Sequence, residues 1–204
     1  MNIVILNGNP YCTNNTFDRY IDSYRIKLHK TGHYVRSFLL REMQINDFNY
    51  GNVRQSRGTP DDFRDDFRYI SNTLHETDLI VIASPIEHGY VSVLTKMVRD
   101  RLAQVLLTYE KAATLSPASY YRMHKLPLMG LILQKERHTS EHELLLNRLS
   151  WERLAANLHT LLSFCVTTDR DVTETLQSTF QCMDLQQNTE QAYNQLPGDS
   201  FQPE

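Results

Sequence analysis

Apolar positions along the chain fall into two rhythms. Ile3 to Leu6 and Leu79 to Ala83 are short unbroken apolar runs, the pattern of strands buried on both faces as in a parallel sheet. Elsewhere apolar residues recur at steps of three and four. Phe17, Tyr20, Ile21, Tyr24 and Leu28 predict a helix that Asn15 or Thr16 can cap and that stops near Gly32. Tyr34 to Leu40 predicts a second strand, and after an irregular stretch from Arg41 to Thr59, Pro60 and two aspartates open a helix through Phe63, Phe67, Ile70 and Leu74. The run ending at Ala83 leads through Ser84-Pro85 into a loop and a helix over Val91 to Leu107. A fourth strand, Leu128 to Leu133, follows a long connection. A helix over Glu141 to Leu162 presents Leu145, Leu149, Leu154, Leu158 and Leu161 to the core, Phe164 to Val166 forms the fifth strand, and a last helix begins near Thr173.

Strands and helices that alternate in this way imply a doubly wound five-stranded parallel sheet in a three-layer α/β/α arrangement, because right-handed crossovers put helices on both faces. Residues 1–183 form one domain. The tail, 184–204, is rich in Gln, Asn and Pro and reads as frayed. Of the 204 residues, 41% are hydrophobic and 22% charged, ordinary for a soluble globular protein, and no apolar run approaches the roughly 20 residues that span a bilayer. The N-terminus enters a strand without the basic start and cleavage site of a secretory signal, so a cytoplasmic protein is expected. Cys12, Cys165 and Cys182 have no CxxC spacing, which argues against a disulfide framework or a zinc site. His138 and His142 stand four apart without an obvious third ligand, so no metal is expected. A net charge of -3 with scattered basic residues gives no footprint for nucleic acid.

In open α/β sheets ligands sit outside the carboxyl ends of the strands, where strand order reverses, which singles out the loops after the first and third strands. The first, Asn7-Gly8-Asn9-Pro10-Tyr11-Cys12-Thr13-Asn14-Asn15-Thr16, leads small amide and hydroxyl side chains into a helix N-terminus, where free N–H groups and the helix dipole favour an anion. There is no lysine of the GxxxxGK[ST] kind, so a monophosphate suits the loop better than a nucleoside triphosphate. By composition alone, a polar loop with a good helix cap explains it equally well. In the second loop, Ser84 to Ser92, Pro85 stiffens the chain and Gly89 allows a tight turn, features that most often mark only a turn. The connection Tyr109 to Lys125, with Tyr109, Tyr120, Tyr121 and Met123, is long enough for a lid, though packing accounts for its aromatic residues more simply.

Taken together, Asn7 to Thr16, the acidic helix start Asp65-Asp66-Phe67, the segment Thr77-Asp78-Leu79-Ile80-Val81-Ile82-Ala83-Ser84-Pro85 and the helix Leu94 to Leu102 resemble the flavodoxin-like NAD(P)H-dependent FMN reductase and NAD(P)H:quinone oxidoreductase family. The resemblance covers Met1 to about Leu102. It implies a flavodoxin-like homodimer that binds FMN, takes hydride from NADPH or NADH and passes electrons to a small-molecule acceptor such as a quinone or free flavin. Carried over by position, Asn9, Tyr11, Thr13, Asn14, Asn15 and Thr16 surround the phosphate, and Pro85, Ile86, Glu87, His88 and Gly89 lie along the isoalloxazine ring. Tyr11 replaces the family's common arginine, Glu87 and His88 replace aromatic residues, and Gln134-Lys135-Glu136-Arg137 replaces a small glycine-containing loop. The chemistry belongs to the cofactor; His88, which titrates near neutrality, is the one candidate for proton donation to an acceptor. The competing expectation is a non-enzymatic binding or regulatory protein of the same fold that has weakened or lost its flavin site.

Overall fold

The computed structural model describes residues 1–12, 15–46, 65–74, 76–115, 127–158 and 160–181, with the backbone alone at 104 and 106–115. Strand β1 (Asn2–Asn7) lies between two parallel neighbours, β2 (Tyr34–Leu39) on one side and β3 (Leu79–Glu87) on the other. Beyond β3 and the short β4 (Tyr90–Val91) come β5 (Leu128–Gln134) and β6 (Leu162–Thr167), giving the parallel order β2-β1-β3-β5-β6. The chain moves outward from β1 to β2 and then crosses to β3, so the strand order reverses between β1 and β3 and their carboxyl ends open a crevice.

Successive side chains of a strand point to opposite faces, and β1 shows why its run is unbroken. Ile3 and Ile5 pack with Phe17, Ile21, Tyr24 and Leu28 of α1 (Thr16–Lys30) and with Leu176 of α5 (172–181). Val4 and Leu6 face the other layer, where α2 (Phe67–Leu74), α3 (Val93–Leu115) and α4 (Glu141–Asn157) contribute Phe67, Ile70, Val98, Leu102, Trp151 and Leu154. The result is the three-layer α/β/α arrangement. No described helix is long and apolar enough to cross a membrane.

Three expectations need correction. The third strand does not stop at Ala83 but runs to Glu87, because Pro85 pairs with Gln134 of β5 and Ile86 with Val91 of β4; the segment from Pro85 onward is a hairpin. The helix after it starts at Val93, not Val91, and continues to Leu115. Helix α4 ends at Asn157, because Leu162 already pairs with Met129 as part of β6. Its core face is also turned from the one the leucines suggested: Trp151, Leu154 and Leu158 are buried, whereas Leu145, Leu149 and Leu161 are 49%, 48% and 69% exposed. The helix start at Pro60 to Phe63 and the polar tail lie outside the described residues. Just before α2, Asp65 accepts N–H groups from Phe67 (3.1 Å) and Asn46 (2.9 Å) and pairs with Arg101 (3.1 Å), so the acidic start ties the segment after β2 to α3.

Candidate functional site

The crevice is walled on one side by the loop after β1. Its path is fixed at Gly8, whose N–H donates to the Ala83 carbonyl at 2.8 Å and whose carbonyl accepts from Ser92 Oγ at 2.5 Å. A Cβ at Gly8 would collide with the Thr95 hydroxyl, so glycine lets the loop rest against the start of α3. Beyond Gly8 the polar side chains turn inward. Asn7 Nδ2 donates to Asp18 Oδ1 at 2.8 Å and Asn9 Nδ2 donates to the same oxygen at 3.0 Å; Asn7 Oδ1 accepts the Asn9 N–H and Asn9 Oδ1 accepts the Tyr11 N–H. Asp18 sits in the first turn of α1, where the helix dipole favours a carboxylate, and it is paired with Arg41 at 3.1 Å. The Asn9 side chain, 1% exposed, thus helps to shape the loop, using its Oδ1 on the Tyr11 N–H and one Nδ2–H on Asp18.

What the loop leaves open is the helix end itself. Asn15 Oδ1 caps α1 by accepting the Asp18 N–H at 2.8 Å. The N–H groups of Thr16 and Phe17, the first two of the helix, have no intrahelical partner and face outward from the N-terminus. The Thr16 hydroxyl accepts from Gln134 Nε2 at 3.4 Å, so the end of β5 meets this corner. Thr13 and Asn14 lie outside the described residues.

The opposite wall is the β3–β4 hairpin. Ser84 Oγ donates to the Pro85 carbonyl (2.8 Å) and accepts the Ser92 N–H (3.0 Å), bracing its base. Pro85 and Ile86 are buried, and the Ile86 side chain belongs to the core, so these two offer a ligand backbone and not side-chain surface. Glu87 pairs with Tyr90 across a two-residue turn in which His88 and Gly89 have φ of 51° and 86°. Two positive φ values define the type I′ turn that suits a twisted hairpin, and histidine is among the side chains that tolerate this region. His88 is exposed at the tip.

Two residues of α4 that sequence reasoning missed hold this turn. Asn147, 6% exposed, accepts the Val91 N–H at 3.1 Å and donates to the carbonyls of Gly89 and Glu143, both at 2.8 Å. Glu143 lies where a Cβ on Gly89 would come within 2.8 Å of its Oε1, and it closes a capping box with Ser140, whose N–H and hydroxyl donate to Oε2 at 2.6 and 2.8 Å. Those donors hold the Glu143 carboxyl below the usual glutamate range. A signal for Asn147 existed: it interrupts the apolar stripe Leu144, Trp151, Leu154 and Leu158 on the buried face of the helix.

Tyr11 is 58% exposed. Its hydroxyl is pushed above the ordinary tyrosine value first by its hydrogen bond to the Glu87 carboxylate, then by the charge of Glu87, by burial and by the charge of Glu136. In the third loop, Lys135 pairs with Glu141 at 3.2 Å and Asp169 at 3.3 Å, which keeps its ammonium charge and leaves the rim near Tyr11 acidic. Cys12 is exposed, whereas burial pushes the Cys165 thiol up to about 11, too high for a reactive thiolate at neutral pH. The arrangement sets a helix N-terminus near a braced backbone turn, with an acidic rim. Tyr109, Tyr120, Tyr121 and Met123 fall outside the described side chains.

No family model matches the chain, and no curated protein matches it. Solved structures do. Over 99% of its length the chain is similar to a flavone reductase, with a TM-score of 0.58 and 12% identity, and it spans 66% of that protein. An FMN-dependent NADH-azoreductase from Bacillus anthracis, solved with FMN, matches 93% of this chain and 99% of its own at a TM-score of 0.54 and 10% identity. A WrbA-like flavodoxin from Agrobacterium tumefaciens matches 93% of this chain and 98% of its own at a TM-score of 0.51 and 10% identity. With strand order β2-β1-β3-β5-β6, helices on both faces and these likenesses, the chain has a flavodoxin-like fold.

Proposed function

We propose that the protein is an FMN-dependent NAD(P)H oxidoreductase that passes hydride from NADPH or NADH through bound flavin to a quinone, free flavin or similar small acceptor in a cytoplasmic setting. One observation carries this reading: at the β1/β3 switch point, the N-terminus of α1, whose first N–H groups at Thr16 and Phe17 have no partner within the helix, follows β1, and a type I′ hairpin braced by Ser84, Ser92 and Asn147 follows the neighbouring β3. FMN suits that pair of walls. Its phosphate matches the helix end, with Asn15 and Thr16 beside it, and the exposed edge of the Glu87 to Gly89 turn gives its ring a flat wall. When bound, flavin supplies a two-electron acceptor for hydride. The residues around it supply the rest: the α1 N-terminus holds the phosphate, the hairpin orients the ring, and Glu87 and Glu136 set a negative field that opposes an anionic reduced state. His88, exposed at the turn, is the candidate proton donor to an acceptor. The half-exposed leucines Leu145, Leu146 and Leu149 of α4 give an apolar face on which a second copy can dock as a homodimer.

The test is a visible absorption spectrum of the purified protein before and after NADPH or NADH. Yellow protein that bleaches supports the reading. A colourless protein that takes up no added FMN overturns it and favours the second reading, a non-enzymatic binding or regulatory protein, which has one observation in its support. The Glu87 carboxylate raises the pKa of the Tyr11 hydroxyl, so the ring-side wall brings an acidic group toward the phosphate loop, a field unfavourable to a reduced flavin.

A further inference from the structure

The hairpin is set by a side chain far from it in sequence. Asn147 stands on α4 between Glu143 and Trp151, one helical turn from each. Trp151, 1% exposed, anchors the helix in the core beneath the Arg99 guanidinium, which lies 5.5 Å from its ring centre and donates to the Ser150 carbonyl at 3.1 Å. From this fixed platform Asn147 uses both ends of its amide on both limbs of the turn, accepting from Val91 and donating to Gly89, while its other N–H closes on its own helix at Glu143. A buried amide with its acceptor and both donors satisfied adopts one orientation. The Gly89 carbonyl therefore points at α4, away from the crevice. Because Glu87 pairs with Tyr90 and Asn147 takes the Gly89 carbonyl, the backbone groups that the turn retains are the N–H donors of His88 and Gly89 and the single carbonyl of His88.

We infer that Asn147 is the positioning residue of the ring-side wall: by holding the Gly89 carbonyl against α4 it leaves the His88-Gly89 turn with two N–H donors against one acceptor, a surface suited to a flat heterocycle whose edge accepts hydrogen bonds. This rests on the flavin reading above. Asn147 touches no ligand and acts through the turn.

The experiment compares the parent with Asn147→Leu, which keeps volume and removes the amide, and with Asn147→Asp, which keeps the acceptor for Val91 and loses both donors. FMN and riboflavin are titrated against each, and amide exchange is followed at Val91 without ligand. In Asn147→Leu both affinities fall by about tenfold, the FMN-to-riboflavin ratio stays at the parental value, and Val91 exchanges at least about tenfold faster. The circular dichroism of the flavin visible band changes, a signature that loss of global stability alone does not give. Asn147→Asp keeps Val91 protected yet loses riboflavin affinity, so it decides the matter if the leucine variant does not fold. Parental affinities for both flavins in either folded variant overturn the proposal, and so does a fall confined to FMN, which assigns the effect to the phosphate end. If the parent binds neither flavin, the flavin reading fails, and Val91 exchange in Asn147→Leu alone decides the clamp: unchanged exchange overturns it.

Discussion

The two walls of the crevice are held by different means. The loop after β1 is held mostly from within. Its side-chain network, Asn7, Asn9, Asn15 and Asp18, lies within twelve positions and bonds within itself, with Arg41 paired to Asp18, while the backbone at Gly8 rests on Ala83 and Ser92. The hairpin after β3 is held from a distance, by Asn147 and Glu143 of α4, more than fifty residues along the chain. In the first wall the polar side chains are largely used in making the shape, and the ligand is left the N–H groups of the helix end. In the second, a remote side chain fixes the backbone, and the exposed His88 stands at the tip of the turn. Substitutions in the first wall therefore act on stability and affinity together, and substitutions at the second wall's rim act on the ligand with little cost to the fold.

The largest expected effect lies in the first wall. Asp18→Ala leaves the amide donors of Asn7 and Asn9 and the Arg41 guanidinium without their shared acceptor, and the ion pair is only 12% exposed on each side. Breaking such a pair from one side costs about 3–5 kcal/mol. Urea unfolding should show a large drop in midpoint, while Glu87→Gln, its counterpart at the rim of the second wall, leaves the midpoint close to the parent. Equal losses in the two variants would erase the contrast.

Next in size is the double variant Asn15→Ala, Thr16→Ala. Removing the cap costs about 1 kcal/mol of stability. FMN affinity should fall while riboflavin affinity, which has no phosphate to lose, stays near the parent's. Unchanged FMN binding by titration would show that the phosphate does not sit at this helix end.

The same contrast explains what could be read from sequence. The order of elements and the parallel sheet follow from the unbroken apolar runs and the helical spacing, which are local patterns. The loop Asn7 to Thr16 is legible because most of the side-chain network that shapes it, Asn7, Asn9, Asn15 and Asp18, is close in sequence, although Ala83, Ser92 and Arg41 also hold it. Even so, which groups face a ligand is not legible: the amide of Asn9 looks the same on paper whether it bonds to a phosphate or to Asp18. The length of β3 was hidden because it depends on Pro85 meeting Gln134 and Ile86 meeting Val91. The face of α4 was hidden for another reason. Leucines at 145, 146 and 149 are half-exposed, and the buried stripe through Trp151 contains the polar Asn147, so counting apolar residues selects the wrong side.

A smaller effect separates charge from shape at the second wall. In Glu87→Gln the Tyr11 hydroxyl loses its anionic acceptor and the largest causes of its raised pKa. Its titration, isolated as the difference between each protein and its Tyr11→Phe counterpart, should move down toward the ordinary tyrosine value. With FMN bound, the reduction midpoint should move up as the like charge beside the ring is removed. A Tyr11 titration that does not move would detach the tyrosine from Glu87.

The smallest effect tests how α4 supports the hairpin. The Glu143 carboxyl, bonded to the N–H and hydroxyl of Ser140, titrates below its ordinary 4.5 in the folded protein. A depressed folded value means that the unfolded chain binds the proton more readily. The contribution is therefore fully present above about pH 4.5 and is lost as pH falls through the folded value. Glu143 is only partly buried at the surface, so the effect on global stability is slight; the exchange of the Ser140 amide, which donates to its carboxylate, is the more sensitive reading. In the parent that amide should lose protection below pH 4.5, after correction for the intrinsic pH dependence of exchange, and in Glu143→Gln its protection should vary little over the same range. If Val91 keeps its protection through this range while Ser140 loses it, Asn147 alone holds the turn. If both fade together, the capping box and the clamp act as one unit, and the second wall is tied to the N-terminus of α4 as tightly as the first is tied to that of α1.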